Sequence, residues 1–267
     1  MLDVEDSAEG FWGRSEEREF AYEVTVPGSG EKVPLTAVQD REICAGTPEF
    51  PSHGHCVWDA ALLLADYLQA TAQQSTAGGE ADDRFKFRGK KVVELGAGVG
   101  LVGMALAALG ACVTLTDQEY ALPLLTKNVA VNFLRGGAYK PSVIATSVAP
   151  VVEECQWGEP FQSGGSLEAW TKCTDLVVFS DVLYHASAFL LLIETLHQLV
   201  SPTTDVFFSF ETRNAAIEAN FLQQLGKTFD VQEVSRKDNA QVFAGFEYPD
   251  ELFIYHARLK KSDSDEF

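Results

Sequence analysis

Three glycines spaced two apart, Gly96, Gly98 and Gly100, follow the apolar run Val92-Val93-Glu94-Leu95 and its acidic residue Glu94. Between a strand and a helix, glycines at that spacing let the backbone turn tightly and approach a nucleotide-like ligand. The segment reads in two ways. From Gly96 it is Gly-x-Gly-x-Gly; from Gly98 through Gly100 to Gly103 it is Gly-x-Gly-x-x-Gly, the dinucleotide fingerprint. Asp117, 21 positions beyond Gly96, ends the next apolar run. A carboxylate there can accept both hydroxyls of an adenosine ribose. Together these residues fit NAD and S-adenosylmethionine alike.

A third group discriminates. Ser180-Asp181-Val182-Leu183-Tyr184 closes another apolar run, on the sheet edge where doubly wound proteins place ligands. Asp181 can hold an amine through charge-assisted hydrogen bonds, and Tyr184 offers a ring face and a hydroxyl. That pair suits methylation of an amine. Hydride transfer is disfavoured, because no Tyr-x-x-x-Lys pair follows the run. His185, next in the chain, is either part of the site or an ordinary first-turn histidine.

The elements that position these groups follow a βα rhythm. Apolar patterning predicts strands at 91–95, 112–116, 142–145, 175–179, 205–210, 229–234 and 252–259. Helices are predicted at 101–109, 120–133, 186–199 and 214–224, the first ended by Gly110 and the second closed by Gly136-Gly137. The alternation predicts a doubly wound α/β fold, with a largely parallel sheet covered by helices on both faces. Before it come a hairpin, 20–26 and 33–38 joined through Pro27-Gly28-Ser29-Gly30, and a helix over 57–68. Residues 69–84 read as a loop, and 150–172 as a long connection.

With 267 residues, 46% of them hydrophobic, the chain suits a single α/β domain over 20–260. Residues 1–19 read as an acidic, flexible arm and 261–267 as an acidic tail. A formal charge of -19 repels a phosphate backbone, which argues against nucleic acid and favours a basic protein partner. No apolar run reaches the roughly 18 residues that span a bilayer, so no membrane association is expected. Five scattered cysteines without Cys-x-x-Cys spacing favour reduced thiols over disulfides or zinc. With an acidic start unlike a signal peptide, the expected home is the cytoplasm, with the nucleus left open.

Four blocks give the chain a family resemblance: Gly54-His55-Cys56-Val57-Trp58-Asp59-Ala60-Ala61, the glycine segment from Glu94 to Gly100, Cys155-Gln156-Trp157-Gly158-Glu159, and Ser180-Asp181-Val182-Leu183-Tyr184. In that order they resemble the seven-strand S-adenosylmethionine-dependent methyltransferases, and within them methyltransferase family 16. Ser209-Phe210-Glu211-Thr212-Arg213 is similar to that branch's aromatic-Glu-x-Arg element. The resemblance implies a Rossmann-like seven-stranded sheet with an antiparallel last strand. It also implies an enzyme that methylates lysines of non-histone proteins.

Carried over, Glu94, Gly96, Ala97, Gly98 and Gly100 hold the cofactor, Trp58 walls its pocket and Asp117 binds ribose. Trp157 lies by the adenine, Ser180 contacts the cofactor, and Asp181 with Tyr184 orients the substrate amine. No metal is implied. A histidine or small-molecule amine acceptor, or a catalytically silent binding module, are the alternatives. Trp12 and Trp170 carry no motif. The oligomeric state stays open, with a monomer favoured. Segment 161–166 reads as a substrate-facing lid or a surface loop. Because a carboxylate beside a lysine favours the ammonium, Asp181 is assigned orientation and charge compensation rather than general base catalysis.

Overall fold

The computed structural model describes residues 14–44, 53–76, 82–134, 148–244 and 246–261. In chain order the elements are β1 (Glu19–Thr25), β2 (Lys32–Val38), α1 (Asp59–Thr76), β3 (Lys91–Leu95), α2 (Leu101–Ala108), β4 (Cys112–Asp117) and α3 (Leu122–Phe133). Then follow β5 (Val151–Glu154), α4 (Ser166–Trp170), β6 (Leu176–Ser180), α5 (Phe189–Leu199), β7 (Asp205–Glu211), α6 (Ala215–Leu225), β8 (Phe229–Glu233), α7 (Ala240–Phe243) and β9 (Leu252–Leu259). Two 3-10 turns, Asp83–Phe85 and Ala186–Ala188, precede β3 and α5.

Seven strands form one sheet in the order β5-β4-β3-β6-β7-β9-β8. Pairing is parallel from β5 through β7, and β9 runs antiparallel to both its neighbours. The central strands β3, β6 and β7 are buried nearly throughout, which is why they read as continuous apolar runs rather than alternating ones. From β3 the chain moves outward to β4 and β5, then returns to β6 on the other side. The crevice beyond the carboxyl ends of β3 and β6 is therefore the topological switch point, where such sheets bind ligands.

Each sheet face carries its own core. Leu63, Leu64 and Leu68 of α1 and Met104 and Leu106 of α2 pack with Val92 and Phe207. Opposite, Leu192 and Leu196 of α5 and Phe221 of α6 pack on Phe179 and Phe208, whose rings stack at 4.8 Å. Each such fully buried side chain contributes about 1.5 to 3 kcal/mol relative to exposure. The β1–β2 hairpin docks differently. Asn128 and Asn132 of α3, both buried, accept from the Val38 and Thr36 amides at 2.7 and 2.8 Å and donate to the same residues' carbonyls. Asn128 also donates to the Val99 carbonyl at 3.0 Å, which ties the hairpin to the glycine loop.

Several boundaries differ from the sequence reading. The helix read over 57–68 continues to Thr76, because Tyr67, Leu68 and Ala72 are buried. There the Thr71 and Ser75 hydroxyls donate to the Tyr67 and Thr71 carbonyls, one turn back. The strand on the far side of β4 is Val151–Glu154, inside the stretch read as a connection. Segment 142–145, Gly136-Gly137 and Trp12 lie outside the described residues. Segment 161–166, read as a lid or a surface loop, contributes no residue to the lining of the main cavity. Glu153 of β5 accepts from the Ser166 and Leu167 amides and pins the segment's end to the sheet rim. At the start of the described chain, Gln39 donates to the Arg14 and Glu17 carbonyls, so packing extends back to Arg14. Among the described residues no helix is long and apolar enough to cross a membrane, and no His/Cys/Asp/Glu cluster could hold a metal.

Candidate active site

The glycine loop turns between β3 and α2 with Gly96 and Gly98 at φ of 64° and 54°, left-handed values that side chains rarely adopt. A Cβ on Gly96 would stand 2.9 Å from Val182 Cγ1 and 3.4 Å from Trp157 Cζ2. The bare backbone thus lets the β6 turn and the Trp157 indole close over the loop. On Gly98 it would meet the Gly54 Cα at 3.3 Å, which accounts for the glycine at 54 as well.

Two residues assigned to the cofactor do other work here. The Glu94 side chain is buried and does not line the cleft. It accepts from the Gly103 amide at 2.8 Å, satisfying a first-turn donor of α2 that Gly100, preceding the helix, has no side chain to reach. Burial pushes its carboxyl up to about 8, with Asp117 adding to the rise and the Gly103 amide opposing it. Gly100 turns the chain into α2 and packs toward Leu125, and it too lies outside the cleft lining.

The cleft is a cavity of about 360 Å³, the size of a small-molecule site. Trp58, Gly96, Ala97, Gly98, Asp117, Trp157, Ser180, Asp181 and Tyr184 all line it, so residues from β3, β4, β6 and the approach to α1 converge there. Asp117 Oδ2 accepts from the Gly98 amide at 2.8 Å and Oδ1 from the Gln118 amide at 2.7 Å. Each oxygen keeps a further acceptor position. Burial raises the carboxyl above its ordinary range and the two amides counter it. Beside it Trp157 lies against Gly96, while the Gly158 amide donates to Thr195 Oγ1 at 2.8 Å and fixes that loop to α5. An aromatic wall, a glycine floor and one carboxylate at the β4 end form a donor and acceptor set that fits an adenosine-bearing cofactor.

At the β6 end, Asp181 has φ 55° and its side chain is 4% exposed. Its amide donates to the Ser209 carbonyl at 2.8 Å. Arg213 clamps the carboxylate with two bonds, Nη1 to Oδ1 at 2.8 Å and Nη2 to Oδ2 at 2.7 Å. The same guanidinium stands 5.1 Å from the Trp58 ring, whose indole N–H donates to the His53 carbonyl. Tyr184 is 42% exposed at the mouth, edge-on to His53 at 5.2 Å and to His185 at 4.8 Å. Loss of solvent around its hydroxyl, with Asp117 and Asp181 near, pushes the phenol up to about 12, so it stays protonated at neutral pH.

His53, Gln118, Tyr120, His185 and Arg213 also line the cavity. The sequence reading gave none of them a firm role. Gln118 and Tyr120 follow Asp117 directly, a position that could have flagged them, and Arg213 closes the noted Glu-x-Arg element. His53 had no signal.

A family model described as lysine methyltransferase matches residues 40–228. Protein N-lysine methyltransferase METTL21A of Danio rerio is 34% identical over 212 residues, covering 78% of this chain and 79% of that protein. EEF1A lysine methyltransferase 3 of Xenopus tropicalis is 31% identical over 182 residues, 68% of each. Among solved structures, a T. thermophilus 16S rRNA N2 G1207 methyltransferase in complex with AdoMet and guanosine aligns at a TM-score of 0.52 and 16% identity. That alignment covers 91% of this chain but about half (51%) of that one, and it bears on the fold alone.

Proposed function

The chain belongs to the lysine methyltransferase family and is an S-adenosylmethionine-dependent protein-lysine N-methyltransferase; we propose that the crevice beyond β3 and β6 is where a lysine of a non-histone protein meets the cofactor. The observation that carries this is convergence. Asp117 at one end and the Asp181–Tyr184 turn at the other line a single cavity with the glycine loop between them. METTL21A and EEF1A lysine methyltransferase 3 both carry lysine methylation in their names, which supports lysine over histidine or a small amine. A charge of -19 supports an acceptor with a basic surface.

When bound, S-adenosylmethionine would supply an electrophilic methyl group, with its thioether as leaving group, to an acceptor amine that has already released its ammonium proton to water. Asp117 would hold the ribose through its spare acceptor positions, with Trp157 against the base. Tyr184 and Trp58 would flank the incoming lysine stem and exclude water from the amine. Asp181 would accept a hydrogen bond from that amine and fix its direction. Alignment and desolvation are the contributions the protein makes to such a displacement.

The test incubates the full chain and labelled S-adenosylmethionine with lysate protein, beside Asp181→Ala, and maps the labelled peptides. Methyl-lysine dependent on Asp181 is the expected result. A labelled histidine or metabolite with lysine untouched, or no label at all, would overturn the reading.

A further inference from the structure

Arg213 has no part in the scheme above, yet it holds both oxygens of the carboxylate that scheme relies on. It also donates to Glu211 Oε2 at 2.9 Å, lines the cavity and stacks on Trp58. The pair is asymmetric: the Asp181 side chain is 4% exposed and that of Arg213 44%. Asp181 is held from its own side by its left-handed backbone and its amide bond to Ser209, and Arg213 meets it from the cavity side.

A lysine near its ordinary pKa of about 10.4 must lose a proton before it attacks. A lone buried carboxylate beside it would work against that, holding the ammonium. The groups facing Asp181 are Glu211 and Arg213 from the end of β7, His53 and Cys56 from the approach to α1, and Tyr184 from its own turn. Arg213 is the cation among them that touches it, and Glu211 stands outside the cavity lining.

We propose that Arg213 is a positioning residue for the acceptor: its two-pronged hold offsets the charge of Asp181 at the cavity while leaving that carboxylate a hydrogen-bond acceptor, so the lysine is bound as the neutral amine. Its contact with Trp58 also fixes the wall along which the lysine stem enters. This rests on the lysine-methylation reading.

The test measures methyl transfer from S-adenosylmethionine to lysate protein, from pH about 6 to about 9, for wild type, Arg213→Met, Arg213→Lys, Asp181→Asn and the Asp181→Asn/Arg213→Met pair. Arg213→Met moves the acidic limb of the profile alkaline by about one unit, a tenfold change in the neutral fraction. Adding Asp181→Asn returns the limb to the wild-type pH, although the rate stays low. Arg213→Lys keeps the limb in place but loses about tenfold in rate, since an ammonium lacks the fork. Equal losses at every pH in Arg213→Met, with no return of the limb in the pair, would overturn the proposal.

A second readout needs no acceptor. Calorimetry compares the cofactor analogue that carries a primary amine in place of the methylated sulfur with the thioether product. Arg213→Met is expected to favour the amine analogue by about tenfold more than wild type does, and the double variant to cancel that preference. An unchanged ratio counts against Arg213. Should Arg213→Met not fold, the uncharged pair and Arg213→Lys still bracket the effect. A wild type that labels no protein sinks the functional reading alone, because the binding ratio still judges the arginine.

Discussion

Asp181 and Asp205 are both buried and both gripped by an arginine fork, at opposite ends of neighbouring strands. Asp181 follows β6 at the carboxyl end; Asp205 opens β7 at the other. Asp205 Oδ1 binds His256 Nε2 and Arg258 Nε, each at 2.7 Å, and Oδ2 accepts from Arg258 Nη2 at 3.0 Å. No residue of that group lines the cleft. Asp181 has one fork, a left-handed backbone, aromatic neighbours and a cavity of about 360 Å³ before it. The same ion-pair chemistry therefore serves packing at one end and an acceptor site at the other. Access to the cavity, not the pairing, separates the two.

The largest effect expected from breaking this comparison is on rate. Asp181→Ala removes the acceptor's hydrogen-bond partner and is expected to lower methyl incorporation about 10³-fold per folded molecule, with a stability cost of about 1 to 2 kcal/mol for alanine on the left-handed backbone there. Arg213, half-exposed and still bonded to Glu211, is not left as a buried orphan. Asp205→Asn should lower stability by a similar amount while sparing turnover per folded molecule. Parallel rate and melting measurements decide it. Equal loss of rate in both variants would erase the distinction.

Glu94 sharpens the contrast as a buried carboxylate beneath α2 that has an amide donor where the two aspartates have cations. Its pKa is raised from 4.5 to about 8, so the folded protein keeps a proton that the unfolded chain releases. Stability then falls as pH rises from about 4.5 to about 8, by roughly 3 kcal/mol at pH about 7. Glu94→Gln matches the protonated acid and can keep the bond to the Gly103 amide. Urea unfolding across that range should show a steeper slope in wild type than in the variant, where Asp117, also raised, still contributes. A slope left unchanged by the substitution would assign it elsewhere.

Next in size is a pair of glycines. Gly96 lies at the cleft, and Gly110, φ 95°, follows the far end of α2, away from it. Alanine is strained at both, by about 2 kcal/mol. At Gly96 the new Cβ pushes on Val182, so the dissociation constant for S-adenosylmethionine should rise about 30-fold. At Gly110 it meets Arg88 at 3.4 Å, and the melting temperature should fall by about 5 °C with cofactor affinity intact. Calorimetry and thermal melts on both variants read the two outcomes.

Most strands and the switch-point crevice were legible because central strands are buried on both faces and leave unbroken apolar runs, such as 91–95 and 175–179. β5 was not. Its four residues are Val151, Val152 and two glutamates on a sheet edge, where neither burial nor alternation leaves a pattern. The end of α1 was missed for a related reason, since Gln73, Gln74 and Ser75 look like loop until tertiary packing extends the helix. In the site, spacing named Asp117 and Asp181. It could not show that Arg213, 32 positions further on, would close on Asp181, because that contact depends on β6 lying beside β7. Glu94 was the right residue type in the right place with a different partner.

The smallest effect expected is the stability cost of Asp205→Asn, and its pH dependence decides the comparison. Burial alone would raise the Asp205 carboxyl, but the bonds from His256 and Arg258 outweigh it and bring it from 3.8 down to about 2. A folded pKa below the unfolded one means the stabilisation is present above about 4 and is lost as pH falls through about 2, opposite in sign to Glu94. The shift corresponds to about 2 kcal/mol, and asparagine keeps part of the bonding to Arg258, so a loss of about 1 to 2 kcal/mol is expected at neutral pH. Urea midpoints of wild type and Asp205→Asn should draw together as pH falls from about 5 toward about 2. A gap that stays constant with pH would mean that the asparagine disturbs packing around Phe207, on which His256 stacks at 4.6 Å, and that the charge of Asp205 contributes little.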